Sequence, residues 1–214
     1  PYGCTEQTLN RFLPTVIAQS VLRRLGVDLS TLKNKHPNLN AQELGNDQAR
    51  QEQWKKYDTN PVFDESLVNE MSKASIIRLS NMQLQDGGWG WFSGYGERSS
   101  AHTTAYVVHG LRLARKLGIE VPEGVIKKGA NWLTGYQAEQ LAQLENLDQS
   151  RGKWKRDADD LDAFVYFVLQ EEDVVNSRMR ELLIRDSDEL SVYAKALMGL
   201  ALDQEGRREQ RDAL

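Results

Sequence analysis

Apolar residues recur three and four positions apart along nearly the whole chain, and the alternating runs that make half-buried strands are nearly absent. The spacing runs through Leu9, Phe12, Leu13, Val16, Ile17, Val21 and Leu22. It returns in Leu67, Met71, Ile76, Ile77 and Leu79, and again in Ala105, Val108, Leu111 and Leu113. Further helical segments centre on residues 125–133, 161–169, 179–184 and 192–202. Stripes of this period bury helix against helix. They predict an all-α fold with about seven helices of ordinary length. Pro14 marks a kink or the true start of a helix. Asp64, then Ser99 or Ser100, then Asp186 or Ser187 stand where N-caps are needed, the last pair with Glu189 within reach. Residues 34–61 are polar and read as a long loop or a poorly packed excursion. Residues 137–155 are polar too and leave room for a loop facing a partner within them. Residues 204–214 are strongly polar and read as a cut end.

One connector stands out: Gln85-Asp86-Gly87-Gly88-Trp89-Gly90-Trp91-Phe92 lies between two helical segments. Its glycines permit tight turning, and its aromatics are expected to fold back over helix ends, serving packing.

The remaining composition excludes several functions. The 214 residues suffice to bury a core. A net charge of −4 leaves no electrostatic footprint for nucleic acid. No apolar run approaches a membrane span, so no membrane contact is expected of this domain. A single cysteine rules out a disulfide framework and a cysteine zinc cluster within the chain. The chain opens at Pro1 without a methionine and reads as a piece of something longer, so a missing leader says nothing about compartment.

That cysteine has unusual neighbours: Pro1-Tyr2-Gly3-Cys4-Thr5-Glu6-Gln7. Gly3 lets the chain turn just before Cys4, which would then sit at a helix start where free amides and the helix dipole favour thiolate. Three positions apart on one turn, Cys4 and Gln7 share a face. The thiolate can attack the Gln7 carboxamide and expel ammonia, leaving a thioester. That bond persists only where water is kept out. Exposed, it acylates an amine or hydroxyl and frees Cys4. Glu6 is expected to support the turn and helix start. A bare Cys-x-x-Gln is common and, alone, would suit a buried core cysteine beside solvated first-turn residues.

The full string, followed by Thr8-Leu9, resembles the thioester signature of the alpha-2-macroglobulin and complement superfamily. The connector at residues 85–92 is similar to the glycine-aromatic connectors of α/α-toroid proteins, and residues 103–108, 128–133 and 161–165 resemble helices of the family's domain. The resemblance implies an α/α toroid, a ring of helix hairpins, incomplete at its C-terminus. It makes residues 1–214 a thioester-containing domain cut from a much larger multidomain protein. Thr5, where animal members generally carry glycine, looks like the bacterial branch. That implies a periplasmic or extracellular, lipid-anchored protease trap. A protease cuts a bait segment, the domains reorganise, and the Cys4–Gln7 thioester captures a protease lysine. The covalent partner is the target protease, and neighbouring domains of the same parent chain shield the bond. This is single-turnover inhibition rather than enzymatic turnover, with no cofactor and no metal. Tyr2, Trp89, Trp91 and Phe92 are candidates to exclude water.

Some complement proteins use a later histidine to direct transfer to hydroxyls. Its expected place, residues 144–148, holds Leu144, Glu145, Asn146, Leu147 and Asp148. Direct attack by amines is therefore expected. Of the three histidines, His102 reads as a helix-start residue with a local hydrogen bond, His109 as a satisfied core residue and His36 as solvated. A rival comes from Asp157-Ala158-Asp159-Asp160, which matches the acid motif of class II terpene cyclases, where a buried carboxylic acid protonates an alkene. The adjacent Lys153, Lys155 and Arg156 suggest instead a solvated helix start. The rival also leaves Cys4 unexplained, and a prenyltransferase would need a zinc set that this chain's lone cysteine does not suit.

Overall fold

Side-chain caps set most helix starts. The computed structural model describes residues 3–35, 60–92, 94, 96–146 and 152–214, and every regular element among them is helical. The α-helices are α1 (Thr5–Asn10), α2 (Leu13–Arg24), α3 (Leu29–Lys35), α4 (Glu65–Met82), α5 (Ala101–Lys116), α6 (Glu123–Leu144), α7 (Asp160–Glu171), α8 (Ser177–Arg185), α9 (Val192–Gln204) and α10 (Arg208–Asp212). Pro14 falls in the first turn of α2, where its missing N–H costs nothing. Asp64 caps α4 through the Leu67 N–H, and Ser100 caps α5 through the Thr103 N–H.

The expected cap for the last long helix is displaced. Asp186 and Ser187 lead only into a 3-10 turn at Ser187–Glu189, and Ser191 caps α9. Asp186 is buried instead, accepting the Ala158 N–H at 2.8 Å and pairing with Arg185 at 2.6 Å. The polar stretch 137–155 is also not all loop. α6 continues to Leu144, because Leu133, Gln137 and Leu144 fall on one buried stripe despite the polar residues between them. In the stretch 34–61, helix α3 reaches Lys35 and a 3-10 turn forms at Pro61–Phe63, while residues 36–59, with His36, lie outside the described residues.

α7 is the centre of the packing. Residues 162–171 are all buried, so the helix is apolar almost all round and must be surrounded. α5 and α9 flank it, and α6 and α8 touch each other as well as α7. Helices alternate between two packed layers, as in a succession of helix hairpins. α1 packs on α4 and α5, with Leu9 fully buried over Gly110. A Cβ at residue 110 would lie 2.5 Å from a Leu9 methyl, so the glycine is what lets the first helix come so close.

Candidate thioester site

Cys4 is the N-cap of α1, in extended conformation, and only 6% exposed. Its Sγ accepts the Gln7 backbone N–H at 3.4 Å, and its own N–H donates to Gln7 Oε1 at 3.2 Å. This is a capping box with sulfur in the place usually held by a hydroxyl oxygen. It folds the Gln7 carboxamide back over the cysteine. The thiol and the Gln7 carboxamide are thereby held on the same turn, while Gln7 itself stays exposed.

Two other elements grip this turn. The Thr5 N–H donates to the Trp91 carbonyl at 3.0 Å, and Thr5 Oγ1 donates to the Gly90 carbonyl at 2.7 Å. Arg78 of α4 donates from Nη2 to the Gly3 carbonyl at 2.8 Å and from Nε to Thr8 Oγ1 at 3.2 Å. Thr8 Oγ1 donates in turn to the Cys4 carbonyl at 2.9 Å. The glycine-aromatic connector thus does more than join helices: its backbone is the seat of α1.

Gly3 plays a different part from the one expected. Its backbone is not in the left-handed region, and a Cβ there would meet Gln7 Oε1 at an ordinary 3.5 Å. The turn before Cys4 is held by Arg78 on the Gly3 carbonyl rather than by glycine's conformational freedom. Glu6 lies half-buried in the first turn of α1. Tyr2 lies outside the described residues. Trp89 is fully buried, with Nε1 donating to the Leu79 carbonyl at 2.8 Å, and its ring fills the space that a Cβ at Gly129 would need. Trp91 and Phe92 are 50% and 56% exposed, so of the connector's three aromatics only Trp89 folds back into the core. Gly129 leaves the room for that ring, since a Cβ there would lie 2.7 Å from it.

The two described histidines are occupied elsewhere. His102 is exposed in the first turn of α5 and stacks on Tyr106, with Phe164 tilted against it; rings, not the expected local hydrogen bond, are its contacts. His109 Nδ1 lies 2.6 Å from Glu171 Oε2, a satisfied position. At the expected place of a transfer histidine, Leu144 is buried and Glu145 pairs with Arg178 at 2.6 Å.

The acid motif does not assemble a proton donor. Asp157 pairs with Arg156. Asp159 caps α7 by accepting the Leu161 and Asp162 N–H groups, and Asp160 accepts the Ser191 N–H at 2.9 Å. Each carboxylate serves a chain end or an ion pair, because these acids open a helix. The buried acid is the neighbour, Asp162, whose pKa burial holds above its ordinary value although Lys155 donates to it. An open cleft of about 410 Å³ between α4 and residues 118–122 is lined by none of these acids, nor by Cys4 or Gln7. Among the described residues no group of three or more His, Cys, Asp or Glu could hold a metal ion.

The model of the A-macroglobulin TED domain matches residues 1–212. The chain belongs to this family. The TED domain is an α/α-toroid-type fold, which accounts for the alternating layers around α7. An alpha-2-macroglobulin of Thermotoga maritima is 30% identical over 133 residues, 62% of this chain and 6% of that protein. Native alpha-2-macroglobulin from Escherichia coli, solved from domain MG7 to the C-terminus, superposes with a TM-score of 0.63 at 18% identity, covering 100% of this chain and 28% of that one. Salmonella alpha-2-macroglobulin reacted with methylamine gives 0.62 at 18% identity, covering 100% of this chain and 12% of that one. The TED domain described here therefore spans a small part of each relative's length.

Sequence reasoning missed Thr5, Thr8 and Arg78 as parts of this TED domain's site. Thr5 and Thr8 carried a weak signal, two hydroxyls one face apart inside a six-residue helix. Arg78 carried none, since nothing local ties it to a turn far earlier in the chain.

Proposed function

We propose that residues 1–214 are the thioester-containing domain of a larger alpha-2-macroglobulin-like protease inhibitor, and that Cys4 and Gln7 form its reactive bond. The observation that carries this reading is the reciprocal pair of contacts between Cys4 and Gln7 in the only cysteine-bearing turn of the chain. Cys4 sulfur adds to the Gln7 carbonyl carbon, the carbon–nitrogen bond breaks and ammonia leaves with the thiol proton. An amine then adds to the thioester, Cys4 departs as thiolate, and the amine stays bonded to Gln7. Nothing regenerates the bond, so each molecule acts once and is an inhibitor rather than an enzyme.

Amines are the favoured targets, protease lysines above all. Residues 144–148 hold no histidine, His109 is engaged by Glu171, and His102 is stacked against two rings. The exposure of Gln7 means that water must be excluded by something other than this domain's own core. Neighbouring domains of the parent chain, seated over the exposed Trp91 and Phe92, would do so. Cleavage of a bait segment by a protease would then move them and open the bond. The bacterial origin of the relatives supports a periplasmic or extracellular setting with a lipid anchor outside this domain. Among the described residues no helix is long and apolar enough to cross a membrane.

Intact mass of the full-length native protein tests the reading. Closure removes one ammonia, a deficit of about 17 Da set by the stoichiometry of acylation. Methylamine should add mass at Gln7 and release a titratable thiol at Cys4. If neither the deficit nor the amine-dependent thiol appears, the capture chemistry is absent.

A further inference from the structure

Two hydrogen bonds in the Cys4–Gln7 turn meet on one peptide unit. Arg78 Nη2 donates to the Gly3 carbonyl at 2.8 Å, and the N–H of the same peptide unit, that of Cys4, donates to Gln7 Oε1 at 3.2 Å. A peptide unit is planar, so fixing its oxygen fixes the direction of its N–H. A hydrogen bond from a charged donor also draws density toward the carbonyl oxygen, which leaves the amide N–H a stronger donor along the chain. The second Arg78 contact, Nε to Thr8 Oγ1 at 3.2 Å, locks the guanidinium plane, because Thr8 is itself held on the Cys4 carbonyl. One side chain from α4 therefore grips the peptide on both sides of Cys4.

The geometry points to Arg78 as the positioning residue for ring closure, acting through the Gly3–Cys4 peptide to aim and polarise the N–H that holds the Gln7 carboxamide oxygen. The role rests on the thioester reading and deepens it. As Cys4 sulfur adds to the Gln7 carbonyl carbon, negative charge develops on Oε1. The Cys4 N–H is already directed at that oxygen, so its stabilisation needs no reorganisation. The sulfur–carbon bond forms, the carbon–nitrogen bond breaks, and ammonia carries away the thiol proton. No electron is transferred and no other reactant is consumed. Arginine suits this place because two of its donors in a rigid fork meet two acceptors at once, which a lysine ammonium cannot reproduce in one plane.

The test uses the full-length protein with Arg78→Met, Arg78→Lys and Thr8→Val. Ammonia opens a closed thioester and restores Gln7; on its removal, reclosure is followed as loss of Cys4 thiol titre and return of the mass deficit. Arg78→Met should slow reclosure by about tenfold, less than the loss reported for removing a direct oxyanion donor because the effect passes through one peptide. Arg78→Lys should fall between it and the native protein. Thr8→Val, which frees the guanidinium plane but leaves the Gly3 contact in place, should slow reclosure by about threefold, less than Arg78→Met does. Reclosure of Arg78→Met at the native rate overturns the role, as does a Thr8→Val defect equal to that of Arg78→Met, which would make the clamp general turn support. Where Arg78→Met does not fold, Arg78→Lys decides: reclosure at the native rate overturns the role. A native protein that shows neither mass deficit nor amine-dependent thiol overturns the thioester reading and this role together. A native protein that closes beside an unimpaired Arg78→Met overturns this role alone.

Discussion

α1 and α7 are held in place by opposite means. α7 is twelve residues long and buried on nearly every side, with Val165, Tyr166, Val168 and Leu169 at 1% exposure or less. Ion pairs finish its ends, Lys155 to Asp162 at one and His109 with Lys116 to Glu171 at the other. α1 is six residues long, and apart from Leu9 and its small buried threonines it is held by directed hydrogen bonds to two carbonyls of the connector and to Arg78. Apolar burial is strong but non-directional. It fixes where a helix lies better than where a given amide points. The proposed reactive pair sits on the part of the molecule where direction, not area, does the holding.

The contrast can be broken from either side. The largest change in stability should come from the buried helix. Leu169→Ala empties a fully buried site and should destabilise the domain by about 2–5 kcal/mol in urea or thermal unfolding. The approximately 17 Da deficit of the surviving folded protein should be unaltered, since Leu169 lies on α7, whose main packing is with α5, α6 and α9 rather than with α1. Loss of the deficit would show that the two regions are coupled. Thr5→Val should do the reverse. It keeps the side-chain shape and removes the 2.7 Å bond to the Gly90 carbonyl, at a stability cost of about 1 kcal/mol. Its effect on thioester yield, read by intact mass, should exceed that of Leu169→Ala. Equal yields would mean that the connector does not hold the pair.

The smallest expected effect is electrostatic and belongs to α7 alone. Burial pushes the Glu171 carboxyl up, but the His109 hydrogen bond and charge, with Lys116, more than offset it and leave the pKa below the ordinary 4.5. A carboxyl depressed in the fold stabilises it above the unfolded pKa, and that contribution is lost as pH falls through the folded value. Unfolding free energy should therefore begin to drop near pH 4.5 and continue below it, and Glu171→Gln should flatten that limb. Asp162, raised by burial against the pull of Lys155, contributes with the opposite sign, which keeps the net slope shallow. An unchanged acid limb in Glu171→Gln would remove Glu171 as its source.

Much of this was legible in the residues. The helical period located seven helices of nine residues or more, because burial stripes are a local record of the core. Cys4 and Gln7 could be paired on the page since both lie within one turn. Asp64 and Ser100 were readable as caps for the same reason. Asp186 was not, because its partner is the distant Ala158 N–H and no local pattern encodes a long-range bond. The run from Gln137 to Leu144 misled for a different reason. Gln137 is a polar residue on a buried stripe, so polarity suggested loop where period alone would have carried the helix onward. Trp91 and Phe92 were misjudged because sequence shows that three aromatics sit together but not how many slots the packing offers them. Arg78 shows the limit most plainly, since its meaning lies wholly in which carbonyl it meets.

Cys4 faces inward and Gln7 outward, and this orientation gives the two halves of the bond different fates. On the proposed chemistry the acyl group that carries a captured protein is the outward one, so even a folded globular cargo can be borne without opening the core. The departing sulfur would stay on the inward side, open to a small titrating reagent but screened from the thiol of another protein. A spent molecule would then persist as a stable tagged product and not as a reactive one.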